Sequence, residues 1–205
     1  IEDTESMYVG NDPSSTTDAA NYNVALGTTA LDAVTTGDNN TAIGYDALTA
    51  NQTGYQNTSI GIGSLQTNTS GIRNVAVGDY SLRDNTGNYN TAIGSFSLYQ
   101  NTTGRYNTAL GLLSMTGTTT SWYNVGIGYG ALNDANRTAD TDGYNVALGV
   151  NAGNTGTNDI TTGNKNTLLG ASTAASAAAG TNQTVIGYGA SGQADNSVVL
   201  GNADV

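Results

Sequence analysis

Asn40-Thr41-Ala42-Ile43-Gly44 returns along the chain as Asn57-Thr58-Ser59-Ile60-Gly61, Asn74-Val75-Ala76-Val77-Gly78, Asn90-Thr91-Ala92-Ile93-Gly94 and Asn107-Thr108-Ala109-Leu110-Gly111. Extended in both directions, the pattern of an aliphatic residue followed by Gly anchors the chain at Gly10, Gly27, Gly44, Gly61, Gly78, Gly94, Gly111, Gly128, Gly149, Gly170, Gly187 and Gly201. The intervals are 17, 17, 17, 17, 16, 17, 17, 21, 21, 17 and 14 residues. A second half follows each anchor, with Ala or Ser and then Leu, as in Ala47-Leu48, Ser64-Leu65, Ser81-Leu82, Ser97-Leu98 and Ala131-Leu132. A polar turn then closes on Gly, as at Gly37, Gly54, Gly71, Gly87 and Gly104. Self-similarity at a fixed period is the mark of a stacked array whose repeats bury their apolar sides against one another.

Short β-branched and aliphatic segments between Gly- and Asn-rich turns read as strands, and no stretch shows the 3.6-residue apolar spacing of a helix. Even Ala171 to Ala179, helix-like in composition, is broken by Ser176, ends at Gly180 and reads as a small-residue turn. One repeat is expected to hold two short strands and two turns, one coil of a solenoid. Two strong aliphatic columns, one just before each Gly and one four after it, favour a flattened two-sheet roll over a triangular helix with three apolar faces. Such a roll has a thin interior. The strand face carrying the small residue two before Gly (Ala25, Ala42, Ser59, Ala76, Ala92, Ala109, Gly126, Ala147) opposes the face carrying the Thr, Val and aliphatic positions. One face would pack inside the roll and the other against sister chains. The Asn four before each anchor (Asn23, Asn40, Asn57, Asn74, Asn90, Asn107, Asn124, Asn145, Asn166) is expected to form a structural ladder of hydrogen-bonded amides.

The 205 residues include no Cys and no His, which removes the Ser-His-Asp triad, thiolate nucleophiles and the usual zinc sites. The formal charge is -11, and the five basic residues (Arg73, Arg83, Arg105, Arg137, Lys165) stand singly. Such a field disfavours nucleic acid and anionic membranes as partners, and no apolar run is long enough to span a bilayer. Asp46 and Asp79 are each single in their columns, so no carboxylate pair for glycoside hydrolysis stands out. The expectation is a non-enzymatic protein with no cofactor and no metal.

The repeated columns resemble the YadA-like head repeat of trimeric autotransporter adhesins, an Asn/Ser-Val/Thr-Ala-Ile-Gly strand followed by a small residue and a turn. The resemblance runs from about Ser6 to Gly201 and implies an all-β, left-handed parallel β-roll solenoid of about twelve coils, three of which associate as a homotrimer. The coils here are mostly 17 residues, longer than that family's usual repeat. The same repeat occurs in virus tail fibres, and Asn196–Val205 looks like the segment that precedes a self-cleaving intramolecular chaperone in phage fibres. That likeness tips the reading toward a virion tail fibre over the alternative, an adhesin on a bacterial cell surface or outer membrane. The chain is then a single repeat domain over 1–205, with a lead-in at 1–9, repeats over 10–201 and the start of a further region at 202–205. Its acidic start, without Met, reads as an excised piece.

Candidate receptor contacts are local departures from the repeat. Tyr89, Tyr106, Tyr123 and Tyr144 stand five before Gly in consecutive coils, where stacked rings either serve the stack alone or offer contacts to sugars. Trp122 stands beside them at a position filled elsewhere by Asp38, Tyr55, Ile72, Asn88 and Arg105, a variety that argues for a solvent-facing contact residue. The two 21-residue coils are expected to carry binding loops. The first includes Asp140 and Asp142, an Asp-x-Asp-Gly fragment that lacks the later Glu of a calcium loop and reads as a solvated turn. Sequons such as Asn51-Gln52-Thr53 and Asn101-Thr102-Thr103 are expected by chance in so Asn- and Thr-rich a chain. The functional expectation is a fibre head or stalk that presents loops to a host-surface glycan or protein receptor. The alternatives are a bare spacer and, because Thr arrays on a flat sheet can order water, an ice-binding solenoid.

Overall fold

The computed structural model describes residues 6–9, 20–133, 143–156 and 158–202. Twelve strands form one parallel sheet in sequential order: β1 (Met7–Val9), β2 (Val24–Leu26), β3 (Thr41–Ile43), β4 (Thr58–Ile60), β5 (Val75–Val77), β6 (Thr91–Ile93), β7 (Thr108–Leu110), β8 (Val125–Ile127), β9 (Val146–Leu148), β10 (Thr167–Leu169), β11 (Thr184–Ile186) and β12 (Val198–Leu200). The chain is an all-β solenoid with mostly 17-residue repeats. Register follows the sequence columns, with Thr41 beside Thr58, Ala42 beside Ser59 and Ile43 beside Ile60. The unequal coils leave it intact: Val75 pairs with Thr91, Val125 with Val146 and Thr184 with Val198. Ala171 to Ala179 is irregular, with one bridge from Ala174 to Ser191.

Each coil contributes one three-residue strand rather than the two longer ones expected. The segment after each anchor from Gly27 to Gly149 places alternate residues in the left-handed region, as at Asp46 (φ 55) and Leu48 (φ 53), or Phe96 (φ 55) and Leu98 (φ 49). That alternation breaks the β conformation, so no second sheet forms among the described residues. Coil-to-coil hydrogen bonds persist there nonetheless: Leu48 N–H donates to the Ser64 carbonyl, Leu65 to Ser81 and Leu82 to Ser97, all at 3.0 Å. A left-handed leucine is costly, and full burial of its side chain together with this bond offsets the cost.

Of the two strand faces, the one that packs inside the roll carries the small residues, and the aliphatic column just before Gly lies on the outer face. Successive strand residues point to opposite faces. Ala42 is fully buried, whereas the neighbouring column is half-exposed or exposed, 43% at Leu110 in mid-stack and 71% at Leu200 in the last strand. The interior is therefore built from the small residue two before Gly and the Leu four after it, with only one large side chain in a typical coil. Where one side of this core changes size the other compensates. Met115 occupies a Leu position, and a Cβ at Gly126 would stand 2.7 Å from its Cγ. Leu168 and Val185 enlarge the strand column where Gly153 and Ala174 shrink the opposite one, which keeps the interior filled.

The anchor glycines are required by backbone approach. At Gly44 (φ 133) a Cβ would lie 2.5 Å from the Gly61 carbonyl oxygen, and the same crowding recurs at Gly61 and Gly94.

Candidate functional site

The corner at which each polar turn enters its strand holds the features that depart most from the repeat. Its framework is the asparagine column. Asn23, Asn40, Asn57, Asn74, Asn90, Asn107, Asn124, Asn145 and Asn166 are all buried. From Asn23 to Asn166 each Oδ1 accepts the backbone N–H of the next asparagine at 2.9–3.1 Å. The amide nitrogens donate mainly to turn carbonyls, as from Asn40 to Gly54 at 2.9 Å and from Asn57 to Gly71 at 2.8 Å. Gln183 continues the column, its N–H donating to Asn166 Oδ1 at 3.0 Å.

A second buried asparagine column, Asn51, Asn68, Asn85 and Asn101, stands three after each Leu and escaped the sequence reading because it runs through only four coils and lies in polar turns already rich in Asn and Thr. Asn68 Nδ2 donates to Asn51 Oδ1 at 3.1 Å and Asn101 Nδ2 to Asn85 Oδ1 at 2.6 Å. The chain of bonds breaks twice. Asn85 Nδ2 donates to the Gly87 carbonyl and leaves Asn68 Oδ1 without a partner among the described residues, and Thr118 replaces asparagine after Asn101. Asn68 Oδ1, Asn101 Oδ1 and Thr118 Oγ1 are buried with no hydrogen-bond partner among the described residues. Burial of Asn51 and Asn101 also closes both sequons to a glycan once the chain has folded.

One position before the first asparagine column, every described coil from Tyr22 to Asn196 takes a left-handed φ, between 47° and 60°. This turns the chain into the strand and aims the side chain outward. Tyr89 and Tyr106 have ring centroids 4.9 Å apart and planes 9° from parallel; Tyr106 and Tyr123 are at 5.0 Å and 4°, and Tyr123 and Tyr144 at 5.0 Å and 1°. Arg73 extends the row, its Nη1 donating to the Tyr89 hydroxyl at 3.0 Å and its Nε to Gln56 Oε1 at 2.8 Å. At this spacing aromatic rings overlap in an offset manner. Neighbours cover part of each ring face, while the outer edges remain open: Tyr106 is 43% exposed and Tyr123 37%.

Trp122 is half-buried rather than fully open to solvent, because Arg105 lies 5.5 Å from its ring centroid and Tyr123 meets it edge-on at 6.4 Å. Its indole Nε1 is buried without a hydrogen-bond partner among the described residues. Asp140 and Asp142 lie outside the described residues. Of the second enlarged coil, the described part does a structural job that the sequence reading missed: Ile160 is fully buried, and its N–H donates to the Gly153 carbonyl at 3.0 Å. A Cβ at Gly153 would stand 2.8 Å from Leu132, 3.1 Å from Leu168 and 3.7 Å from Ile160. The loop thus returns an aliphatic side chain to the place where the leucine column has glycine.

A second aromatic group sits on the side opposite the sheet. Tyr80 stacks on Phe96 at 5.5 Å, Phe96 meets Tyr99 at 5.4 Å, and the Arg83 guanidinium lies 3.8 Å from the Tyr99 centroid. Arg83 also pairs with both Asp84 carboxylate oxygens, at 2.7 and 2.8 Å, which raises its pKa above the ordinary arginine value. Asp46 and Asp79 are engaged in coil-to-coil bonds, Asp46 with Thr29 and Gln66 and Asp79 with the Ile62 N–H. Among the described residues no cluster of acidic side chains has the geometry to hold a metal ion, and no helix is long and apolar enough to cross a membrane. No protein-family model, curated protein or solved structure matches this chain.

Proposed function

We propose that this chain is a non-enzymatic segment of a homotrimeric, left-handed β-roll fibre, a phage-type tail fibre that attaches to a host-surface glycan or protein receptor. One observation carries the reading. The outward sheet face bears an aliphatic side chain at nearly every rung, from Leu26 through Ile60, Ile93, Leu110 and Leu148 to Leu169, and the roll does not bury them. A continuous apolar strip of this length is far more than an isolated soluble chain usually leaves to water. Two sister chains presenting the same strip would cover it, and the likeness to the YadA-like head repeat supplies the three-fold arrangement.

Sedimentation equilibrium tests the reading. The expected particle has three times the 20.7 kDa chain mass, and Ile93→Asp with Leu110→Asp releases single chains. A folded, stable particle of one chain would overturn it. Attachment to host cells is the companion measurement, with Trp122→Ala expected to weaken it; unchanged attachment in that variant removes Trp122 from the receptor site. A bacterial adhesin head predicts the same trimer and differs in the downstream part of the gene, which would encode a membrane β-barrel anchor instead of a self-cleaving chaperone.

A further inference from the structure

Four consecutive coils place tyrosine at one position, although the stack does not require it there. The same position holds Asn39, Gln56, Lys165 and Asn182 in other coils, all with the same left-handed φ. Asn is the ordinary choice for that conformation, so four consecutive tyrosines are not there for the backbone. Because their faces overlap, no single ring offers an open platform to a lone sugar. What the row offers is repetition: outer ring edges that recur with each coil, their centroids 4.9–5.0 Å apart in an advance set by the stacking of the strands. That advance is close to the rise per sugar of a fully extended β-1,4-linked pyranose chain. An α-1,4-linked chain coils and falls out of step after a rung or two. The net charge of -11 disfavours a polyanionic glycan.

We propose that Tyr89, Tyr106, Tyr123 and Tyr144 bind a neutral, extended β-1,4-linked polysaccharide laid parallel to the rod, one sugar per rung. The proposal names the ligand class for the attachment reading above and rests on that reading only for its biological role. Each rung contributes weakly, and the contacts sum because the first fixes the register of the rest. Arg73 terminates the binding row at Tyr89, since its guanidinium lies 5.6 Å from that ring's centroid and bonds the hydroxyl.

Calorimetric titration of the full chain with cello- and chito-oligosaccharides from two to six sugars is the test, with maltohexaose as the control. Affinity is expected to rise with length and level off near four sugars. Maltohexaose should bind at least tenfold more weakly than cellohexaose. Tyr106→Asn with Tyr123→Asn is expected to lose at least tenfold in affinity while retaining mass and circular dichroism, because Asn is native at this position in other coils. Absence of binding by both β-1,4 hexaoses at millimolar concentration, equal binding of maltohexaose, or an unaffected double variant overturns the proposal. If the fibre attaches to cells while both hexaoses fail, the polysaccharide assignment falls and the attachment reading stands. If the hexaoses bind as expected and cells are not attached, the reverse holds.

Discussion

At Asn68 the side chain folds back on its own turn, donating to the Gly71 carbonyl at 3.1 Å, and its Oδ1 lies 2.2 Å from where a Cβ on Gly71 would stand. Gly54, Gly71 and Gly104 are therefore required both by this asparagine column and by the backbone of the next coil. Gly71→Ala is expected to destabilise the fold by about 1–3 kcal/mol, because that Cβ would also lie 2.5 Å from the Gly87 carbonyl oxygen. Urea denaturation reads the loss. Asn57→Ala acts differently: it strands the buried Asn74 N–H and removes one donor from the Gly71 carbonyl, at about 1–3 kcal/mol for each group left unpaired. Its signature is faster hydrogen exchange at Asn74, with distant rungs unaffected.

At the scale of the element, the strands and their register are legible in the sequence and the other half of the coil is not. Columns such as Thr41, Thr58 and Thr91 identify rungs because parallel stacking puts like over like, and an inserted loop alters only where the chain leaves the stack. Nothing local announces that Leu48 or Leu98 takes a left-handed φ, since leucine avoids it; burial inside the roll imposes it. The facing of the aliphatic column at Ile60 and Leu110 is not legible, because alternation along a strand separates two faces without saying which one the roll encloses. At the candidate site the tyrosine positions can be read from spacing, whereas the overlap of their rings and the half-burial of Trp122 depend on side-chain directions across coils. Two substitutions separate core from surface. Leu82→Ala, in the fully buried column, is expected to cost about 2–5 kcal/mol, and Ile160→Ala a similar amount although it lies in an enlarged turn. Thermal melts of the two variants check this, and an Ile160→Ala melt like that of the parent would show that the loop does not support the core.

For the whole molecule, each coil touches only its neighbours, so length is a modular property. Removing residues 45–61 joins Gly44 to Ile62 and brings β3 beside β5 with Thr41 facing Val75, the register both already keep with β4. The shortened chain is expected to fold, with a circular dichroism spectrum of unchanged shape and a rod shorter by roughly 4.8 Å, measurable by small-angle scattering. Aggregation or loss of β signal would mean that coils are not interchangeable. Three such rods side by side would hide the outward aliphatic strip and leave the opposite flank, with Tyr80, Phe96 and Tyr99, turned to the surroundings.

The two interruptions in the second asparagine column make the rod mechanically uneven. Pulled from its ends, a stack whose bonds run along its length bears load across every interface between coils. Asn51 and Asn85 pass tension to the next coil through their side chains, whereas Asn68 and Asn101 do not. Those two interfaces lack this bond, and in single-molecule stretching they should open before the interfaces that Asn51 and Asn85 bridge. A tether built this way yields in steps and dissipates a sudden pull before it reaches whatever its far end is holding.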